Sequence, residues 1–304
     1  MKDTQVAIVQ DAPVLFDLQS TLDKIDQLLG RAKEGDPDLV LFPEAFISGY
    51  PRGISFGTVV GRRSPEGRAM WQLYYDSSLE IGSSEFSKLQ QVIKKHAVHT
   101  VLGIIEKVPS GTLYCTVCYF DPQGQLLGRH RKLKPTAAER LVWGEGKGDD
   151  LKVYDLPFGK TGALICWENY MPLARTWMYQ QGVEIYLAPT ADYRESWQHT
   201  MKHIAVEGRC YVLNCNQFVT QQDYPSQLPG ESLANWPDIM SPGGSSIIGP
   251  LGEEIVAPLY DQAGILHATL SSDHLIQSKL DFDVVGHYSR PDVFELSNLA
   301  EDNR

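Results

Sequence analysis

The chain has 304 residues, of which 42% are hydrophobic and 21% are charged, and its formal net charge is −11 at pH 7. This acidic balance argues against a general nucleic-acid binder and against binding to anionic membranes, because both need a positively charged surface. No stretch approaches the about 20 apolar residues that span a bilayer, and the N-terminus has no apolar core long enough for a signal peptide. The five cysteines are too few for a disulfide framework in so long a chain. We therefore expect a soluble, cytoplasmic protein with reduced thiols.

Strand and helix patterns alternate along the first half of the chain. Apolar residues at helical spacing mark two helices, and short β-rich apolar runs mark the strands. In chain order, these patterns predict a strand at 5–10, a helix at 18–32, a strand at 38–43, a helix at 86–97, a strand at 100–105 and an antiparallel hairpin of strands at 113–120 and 125–130. The first strand, helix and strand form a β-α-β unit, which indicates a parallel crossover.

The second half repeats this alternation before the pattern fails. It predicts a strand at 161–166, a helix at 172–181, a strand at 183–189, a helix with Trp197, Met201, Ile204 and Ala205 on one face, and a strand at 211–216. Prolines, glycines and scattered polar residues then predict a long loop from Val219 to Gly243, and loops of this length are usually functional. After this loop, the sequence predicts a hairpin at 245–258, a closing strand at 264–270 and an irregular tail from about 275. Because no linker is evident, we expect one domain over residues 1–304.

Cys166 ends the apolar run GALIC immediately before the expected start of a helix. The end of a strand is where α/β proteins place ligands, and a nearby helix N-terminus lowers the pKa of a thiol and favours the nucleophilic thiolate. Cysteine is also a small residue that is often buried for packing alone. From its position alone, Cys166 is open to both interpretations, and packing is the more common one.

Two further charged residues follow apolar or strand-like segments. Glu44 comes directly after the strand LVLFP, where burial would raise the pKa of its carboxyl and suit it to general-base work, although most glutamates are exposed. Lys132 lies in the basic segment 129–135, which is either a solvated strand edge or the source of one inward ammonium that stabilises negative charge. Glu139 follows and could hydrogen-bond to that lysine or to the first carboxylate.

Two spacings that resemble metal sites are interpreted as structural. Cys115 and Cys118 lie in a strand pattern with no second pair to complete a zinc site. His199 and His203 are four residues apart on a helix, but the glutamate that zinc proteases carry after the first histidine is replaced by Thr200. We therefore predict no metal site.

Three blocks together resemble a known family. LFPEAFISGYPRG around Glu44, HRKLKPTAAERLVWGEG around Lys132 and GALICWENYMPLAR around Cys166 resemble the signature blocks of the nitrilase branch of the carbon–nitrogen hydrolase superfamily, and GHYSRPDVF at 286–294 resembles its C-terminal stretch. The resemblance runs from about residue 5 to about residue 295. It implies an α/β fold in which two mixed sheets pack face to face within a four-layer α-β-β-α sandwich.

The resemblance also implies a chemistry. Cys166 is expected as the nucleophile, Glu44 as the general base, Lys132 as the electrostatic stabiliser and Glu139 as a supporting acidic residue, with no cofactor. The expected reaction converts an organic nitrile to the carboxylic acid and ammonia through a thioimidate and then a thioester, with some amide as a by-product. Trp167, directly after the nucleophile, is typical of the nitrile-cleaving members.

Two features depart from the family pattern. Lys134 stands where relatives often have an apolar residue, so it could compete with Lys132 for Glu139. The chain stops soon after Pro291-Asp292-Val293, where many relatives continue, so we expect a dimer through one helical layer, or a higher oligomer, rather than a helical filament.

The substrate and two alternative functions stay open. Tyr50, Trp167 and Tyr193, together with the 219–243 loop, are candidates for the lining of a substrate pocket, although aromatic residues are also frequent in cores. The first alternative function is an amidase with the same catalytic residues, which activity on amides but not on nitriles would establish. The second is a non-catalytic assembly protein, against which the buried charged triad argues.

Overall fold

Residues 1–300, which a computed structural model describes, form two β-sheets and the helices that cover them. The strands in chain order are β1 (Thr4–Gln10), β2 (Leu39–Leu41), β3 (His99–Lys107), β4 (Leu113–Phe120), β5 (Leu126–Arg131), β6 (Tyr154–Leu156), β7 (Gly159–Ala163), β8 (Ile185–Thr190), β9 (Tyr211–Asn216), β10 (Phe218–Thr220), β11 (Ile239–Ile248), β12 (Glu254–Tyr260) and β13 (Gly264–Leu270). The α-helices are α1 (Leu18–Ala32), α2 (Pro65–Asp76), α3 (Ser84–His96), α4 (Pro172–Gln180), α5 (Glu195–Gly208) and α6 (Ser272–Gln277). None of the helices in residues 1–300 has the length and apolar character that crossing a bilayer requires.

Both sheets are mixed, with parallel strands at the centre and antiparallel strands at the edges. The first sheet has the order β13-β1-β2-β3-β4-β5, in which β1, β2 and β3 are parallel. The second has the order β10-β11-β9-β8-β7-β6, with β12 also paired to β11, and β7, β8 and β9 are parallel. The parallel strands are joined by helices that cover one face of each sheet, as crossover connections require.

Three hydrophobic cores separate four layers. The first core lies between the sheets and contains residues of both, such as Leu41 of β2 and Leu187 of β8. The second lies between the first sheet and helices α1 and α3, and the third between the second sheet and helices α4 and α5. This arrangement confirms the predicted α-β-β-α sandwich.

Local sequence explains why the covering helices form where they do. In α1 the side chain of Asp17 accepts a hydrogen bond from the backbone of Ser20 and so caps the first turn. Five apolar side chains of α1 then form one buried stripe at helical spacing: Leu22, Ile25, Leu28, Leu29 and Ala32. The central strands carry apolar residues on both faces because both faces are covered.

Several elements differ from the sequence-based prediction. Helices α2 and α6 and the short strands β6 and β10 were not predicted, and α2 buries only Gly67, Met70 and Tyr74, so its apolar period is weak. The strand predicted at 161–166 ends at Ala163. The predicted 219–243 loop is shorter at both ends, because β10 pairs with β11 across a bulge and β11 continues through Pro242 and Gly243. Beyond α6, residues 278–300 contain turns but no further helix or strand, and 301–304, the end of the predicted tail, lie outside the described residues.

Candidate active site

The predicted catalytic side chains lie at the ends of strands from both sheets. Glu44 is the third residue after β2, Lys132 follows β5 directly, and Cys166 is the third residue after β7. Because β2 and β5 belong to one sheet and β7 to the other, the packing of the two sheets brings these residues together. Cys166 has a φ of 49°, in the left-handed region that non-glycine residues rarely adopt, at the start of a single 3-10 turn.

Lys132 is the centre of the charged cluster. Its Nζ donates hydrogen bonds to Oε1 of Glu44 at 2.7 Å and to Oε2 of Glu139 at 2.9 Å. The side chains of Lys132 and Glu44 are completely buried. A buried ammonium is stable only when it is paired, and here two carboxylates pair with it.

Glu139 is held by contacts that fix both of its oxygens. It lies in a 3-10 turn at Ala137–Leu141, where Oε2 also accepts a hydrogen bond from the backbone of Thr136 at 2.6 Å. Oε1 accepts a hydrogen bond from the hydroxyl of Tyr50 at 2.8 Å. The expectation that Lys134 competes for this carboxylate is wrong, because Lys134 is exposed and pairs with Glu145 instead.

The nucleophile candidate carries its proton in the resting state. Burial, followed by the negative charge of Glu44, raises the pKa of the Cys166 thiol to about 12. Lys132 and hydrogen bonds from Thr190 and the backbone of Ala191 act in the opposite direction and do not offset this rise; the Thr190 hydroxyl lies 3.2 Å from the sulfur. The expectation that a helix N-terminus lowers this pKa is therefore wrong: only a 3-10 turn begins at Cys166, and burial dominates. Attack by this sulfur requires a base.

Glu44 has the properties of that base. Burial raises the pKa of its carboxyl above the ordinary value, against the opposing effect of Lys132. For Lys132, burial acts to lower the pKa, but the negative charges around it, Glu44 first among them, raise the pKa well above its ordinary value. While Oε1 of Glu44 binds this ammonium, Oε2 is buried and has no hydrogen-bond partner within residues 1–300. That oxygen is free to accept a proton.

The three predicted pocket residues lie in the wall of one cavity. A cavity of about 200 Å³ is lined by Cys166, Glu139, Tyr50, Trp167 and Tyr193, among others. An adjoining cleft of about 580 Å³ shares Tyr50 and Trp167 and extends along residues 50–58 and 136–143.

The 219–243 segment lines neither of these two cavities. Its residues Val219, Tyr224 and Ser241 line a further, much smaller cavity that shares Tyr50 and Arg52 with the first one, where the segment packs against the loop that follows Tyr50. There, the hydroxyl of Tyr224 donates a hydrogen bond to the backbone carbonyl of Arg52 at 3.1 Å.

The structure contains a buried His130–Glu168 pair that the sequence pattern did not indicate. Nε2 of His130 lies 3.0 Å from each carboxylate oxygen of Glu168, and these oxygens also accept hydrogen bonds from the backbones of Leu133 and Ile165, both at 2.6 Å. Glu168 therefore links Leu133, directly after Lys132, to Ile165, directly before Cys166. One signal was available: His130 and Lys132 are two apart at the end of a strand, so both are expected to face the same way.

Cys115 was also missed as a contact of the site. Its sulfur lies 3.4 Å from Oε1 of Glu44, and its backbone carbonyl accepts a hydrogen bond from the backbone of Lys132 at 2.8 Å. Cys118 lies on the other face of β4, in the core beneath the helices. Across residues 1–300, no group of three or more histidine, cysteine or acidic side chains is arranged to hold a metal ion.

Comparison with known proteins assigns the chain to a family. The carbon–nitrogen hydrolase family model matches residues 5–279. The chain is 46% identical to a bifunctional nitrilase/nitrile hydratase of Nicotiana tabacum, over 96% of this chain and 85% of that one. It is 46% identical to an aliphatic nitrilase of Sinorhizobium fredii, over 97% and 96%, and to an arylacetonitrilase of Trametes versicolor, over 96% and 95%.

Solved structures show the same fold at low identity. The NitFhit protein of Caenorhabditis elegans has a TM-score of 0.75 at 19% identity, covering 97% of this chain and 67% of that one. Nit3 of Saccharomyces cerevisiae has a TM-score of 0.73 at 18% identity, covering 95% and 97%. The chain belongs to the carbon–nitrogen hydrolase family, as a hydrolase of its nitrilase branch.

Proposed function

We propose that this protein is a nitrilase that hydrolyses an organic nitrile to the carboxylic acid and ammonia. The observation that carries the proposal is the convergence of Cys166, Glu44 and Lys132: the charges of Glu44 and Lys132 both act on the thiol, and one buried oxygen of Glu44 has no hydrogen-bond partner within residues 1–300. The curated relatives, all named nitrilases at about the same identity, support a nitrile as the substrate.

In the proposed mechanism, Oε2 of Glu44 takes the thiol proton while the sulfur of Cys166 attacks the nitrile carbon and forms a thioimidate. Lys132 stabilises the negative charge that develops on the nitrogen, as a donor fixed in place before the reaction. The proton on Glu44 then passes to this nitrogen, which completes the thioimidate and leaves Glu44 ionised again. Glu44 next takes a proton from a water while the oxygen of that water adds to the carbon, and it passes this proton to the nitrogen to give a tetrahedral intermediate. Loss of ammonia leaves a thioester, and a second water releases the acid and restores the thiol.

An amide forms when the tetrahedral intermediate loses sulfur instead of ammonia. Ammonia leaves only if its nitrogen is protonated, so the outcome depends on how Lys132 and Glu139 hold and protonate that nitrogen. A relative whose name includes nitrile hydratase activity supports some amide as a by-product.

The test is ammonia release, with acid and amide measured separately, from a panel of nitriles and their matching amides. Wild type is compared with Cys166→Ala and with Cys210→Ala, which removes another buried thiol outside the site. Release of ammonia and acid from nitriles should be lost in Cys166→Ala and retained in Cys210→Ala. Turnover of amides without nitriles would establish the amidase alternative, and full activity of Cys166→Ala would overturn the nucleophile assignment.

The remaining properties proposed for the protein concern its assembly and setting. A dimer through the α4/α5 layer is supported by apolar side chains exposed there, such as Leu173 and Val206. A cytoplasmic location is supported by five buried cysteines without a disulfide. A single domain is supported by the core that both sheets share. Light scattering after gel filtration tests the dimer, and Leu173→Glu should dissociate it.

A further inference from the structure

Arg52 lies on the wall of the cavity that contains Cys166. Its Nη2 donates a hydrogen bond to the backbone carbonyl of Ala191, and its guanidinium lies 5.3 Å from the ring centre of Tyr50 and 5.1 Å from that of Tyr193. Within residues 1–300 it forms no ion pair with a carboxylate. By contrast, the other arginine on this wall, Arg194, pairs with Asp192.

The other charges of the cavity wall have partners. Glu139 binds Lys132, and Asp192 binds Arg194, so each carboxylate of the wall already contacts a cation. Arg52 is left as a cation of this wall that no carboxylate contacts within residues 1–300. A guanidinium has five N–H donors, and its planar geometry matches the two oxygens of a carboxylate.

We propose that Arg52 binds a carboxylate of the substrate, so that the preferred substrates are short nitriles that carry a carboxylate group. This inference rests on the proposed nitrilase function and names the substrate class of the same site. The positive charge of Arg52 would attract such a substrate and orient its nitrile toward the sulfur.

The contacts around Ala191 limit the length of this substrate. The backbone N–H of Ala191 hydrogen-bonds the sulfur of Cys166, while its carbonyl accepts from Arg52. Adding ordinary bond and hydrogen-bond lengths places the guanidinium nitrogen within about 11 Å of the sulfur. About 3 Å of this span separates sulfur from the nitrile carbon, and about 3 Å separates carboxylate from guanidinium. At most about 5 Å then remains between the nitrile carbon and the carboxylate, which is room for no more than about two methylene groups.

The position of Arg52 is fixed before any substrate binds. The hydroxyl of Tyr224 holds its backbone carbonyl, and the two tyrosine rings and Ala191 hold its side chain. A cation fixed in this way loses little conformational freedom when it binds an anion, which strengthens binding.

The test compares two nitriles of similar shape, 3-cyanopropanoate and the neutral 4-methylpentanenitrile. We expect wild type to have the higher kcat/KM for the anion. Arg52→Gln should lower kcat/KM for the anion about 10–100-fold, the effect of losing a hydrogen-bonded charge, and change that for the neutral nitrile less than about 3-fold. Arg31→Gln, which removes the same charge from the exposed surface of α1, should leave both values unchanged.

Four results separate the inference from the proposed function. The inference alone is overturned if the kcat/KM of wild type for the neutral nitrile equals or exceeds that for the anion. It is also overturned if Arg52→Gln lowers kcat/KM equally for both substrates. Silence on both nitriles with turnover of other nitriles overturns the inference alone, whereas silence on every nitrile of the panel overturns the proposed function. In that case the inference is decided by binding, measured as the shift in melting temperature that 3-cyanopropanoate causes in Cys166→Ala and in Cys166→Ala with Arg52→Gln. A shift that depends on Arg52 supports the carboxylate site, and equal shifts refute it.

Discussion

Replacement of Glu168 by glutamine tests whether one buried carboxylate holds Cys166 and Lys132, the proposed nucleophile and stabilising cation, in place. Its two oxygens accept hydrogen bonds from His130 and from the backbones of Leu133 and Ile165, and its side chain is completely buried. Glutamine keeps the volume but puts an NH₂ group where one acceptor oxygen stood. At least one donor would then face another donor.

The expected loss follows from these contacts. Leaving a buried hydrogen-bonding group without its partner costs about 1–3 kcal/mol, and more for a charged group. For a chain of 304 residues, a loss of about 3 kcal/mol lowers the melting temperature by about 5 °C. A displacement of Cys166 or Lys132 by about 1 Å lowers kcat by up to about 100-fold, because the reacting atoms no longer align.

The pH dependence of the stability loss gives an independent check. Burial acts to raise the pKa of Glu168, but His130 and the backbone hydrogen bonds together lower it below the ordinary value. The stabilisation that ionised Glu168 gives the folded protein is therefore fully present above the ordinary pKa of about 4.3. It is lost as the pH falls through the lower pKa that Glu168 has in the folded protein. The difference in melting temperature between wild type and Glu168→Gln should narrow below about pH 4.

The assay measures melting temperature and ammonia release at a temperature where every variant is folded. Glu184→Gln is the control, because Glu184 is a partly buried carboxylate that accepts hydrogen bonds from the N-terminal amine of Met1 and from the backbone of Lys160. It should lose some stability and keep its kcat. A Glu168→Gln protein that is as stable as wild type, or that is fully active while folded, would refute the reasoning.

Two further predictions concern Glu44. Burial raises the pKa of the Glu44 carboxyl, and Glu44 must be ionised to act as a base. The acid-side midpoint of the kcat/KM profile should therefore lie above about pH 4.3, the ordinary pKa of a glutamate, and a midpoint at or below that value would contradict its role as base. Because the Cys115 thiol hydrogen-bonds Glu44 and acts to lower its pKa, Cys115→Ala should reduce kcat/KM about 3–10-fold and move that midpoint to higher pH, whereas Cys115→Ser should retain both. Equal behaviour of the alanine and serine variants would show that the thiol acts by packing alone.

The parts of the fold that sequence predicts are those in which burial repeats regularly. The stripe of α1 and the continuous apolar runs of β1 and β4 are buried as the sequence indicates. Helix α2 was missed because only a few of its side chains are buried, so it leaves a weak period. Strand β10 was missed because it exists through its partner β11, a pairing that no local pattern encodes.

The candidate site shows the same division between local and long-range information. The positions of Glu44 and Cys166 after strands are local features, and the strand pattern indicated both. The raised pKa of Cys166 depends on how deeply the sheets bury it and on a carboxylate more than a hundred residues away, so it follows only from the assembled fold. The same is true of His130 and Glu168, whose pairing joins two segments that each appear unremarkable alone.

The charges of the assembled site account for why a protonated thiol suits this chemistry. Lys132 is one cation between two carboxylates, so with the thiol protonated the group carries one net negative charge. Transfer of the thiol proton to Glu44 moves that charge from oxygen to sulfur without changing the total. The buried site therefore never gains a charge on the way to attack, and desolvation opposes the step less than it would oppose ionisation into water. Arg52 lies outside this group and balances its net negative charge, while its guanidinium contacts no carboxylate within residues 1–300 and can pair directly with one on the substrate.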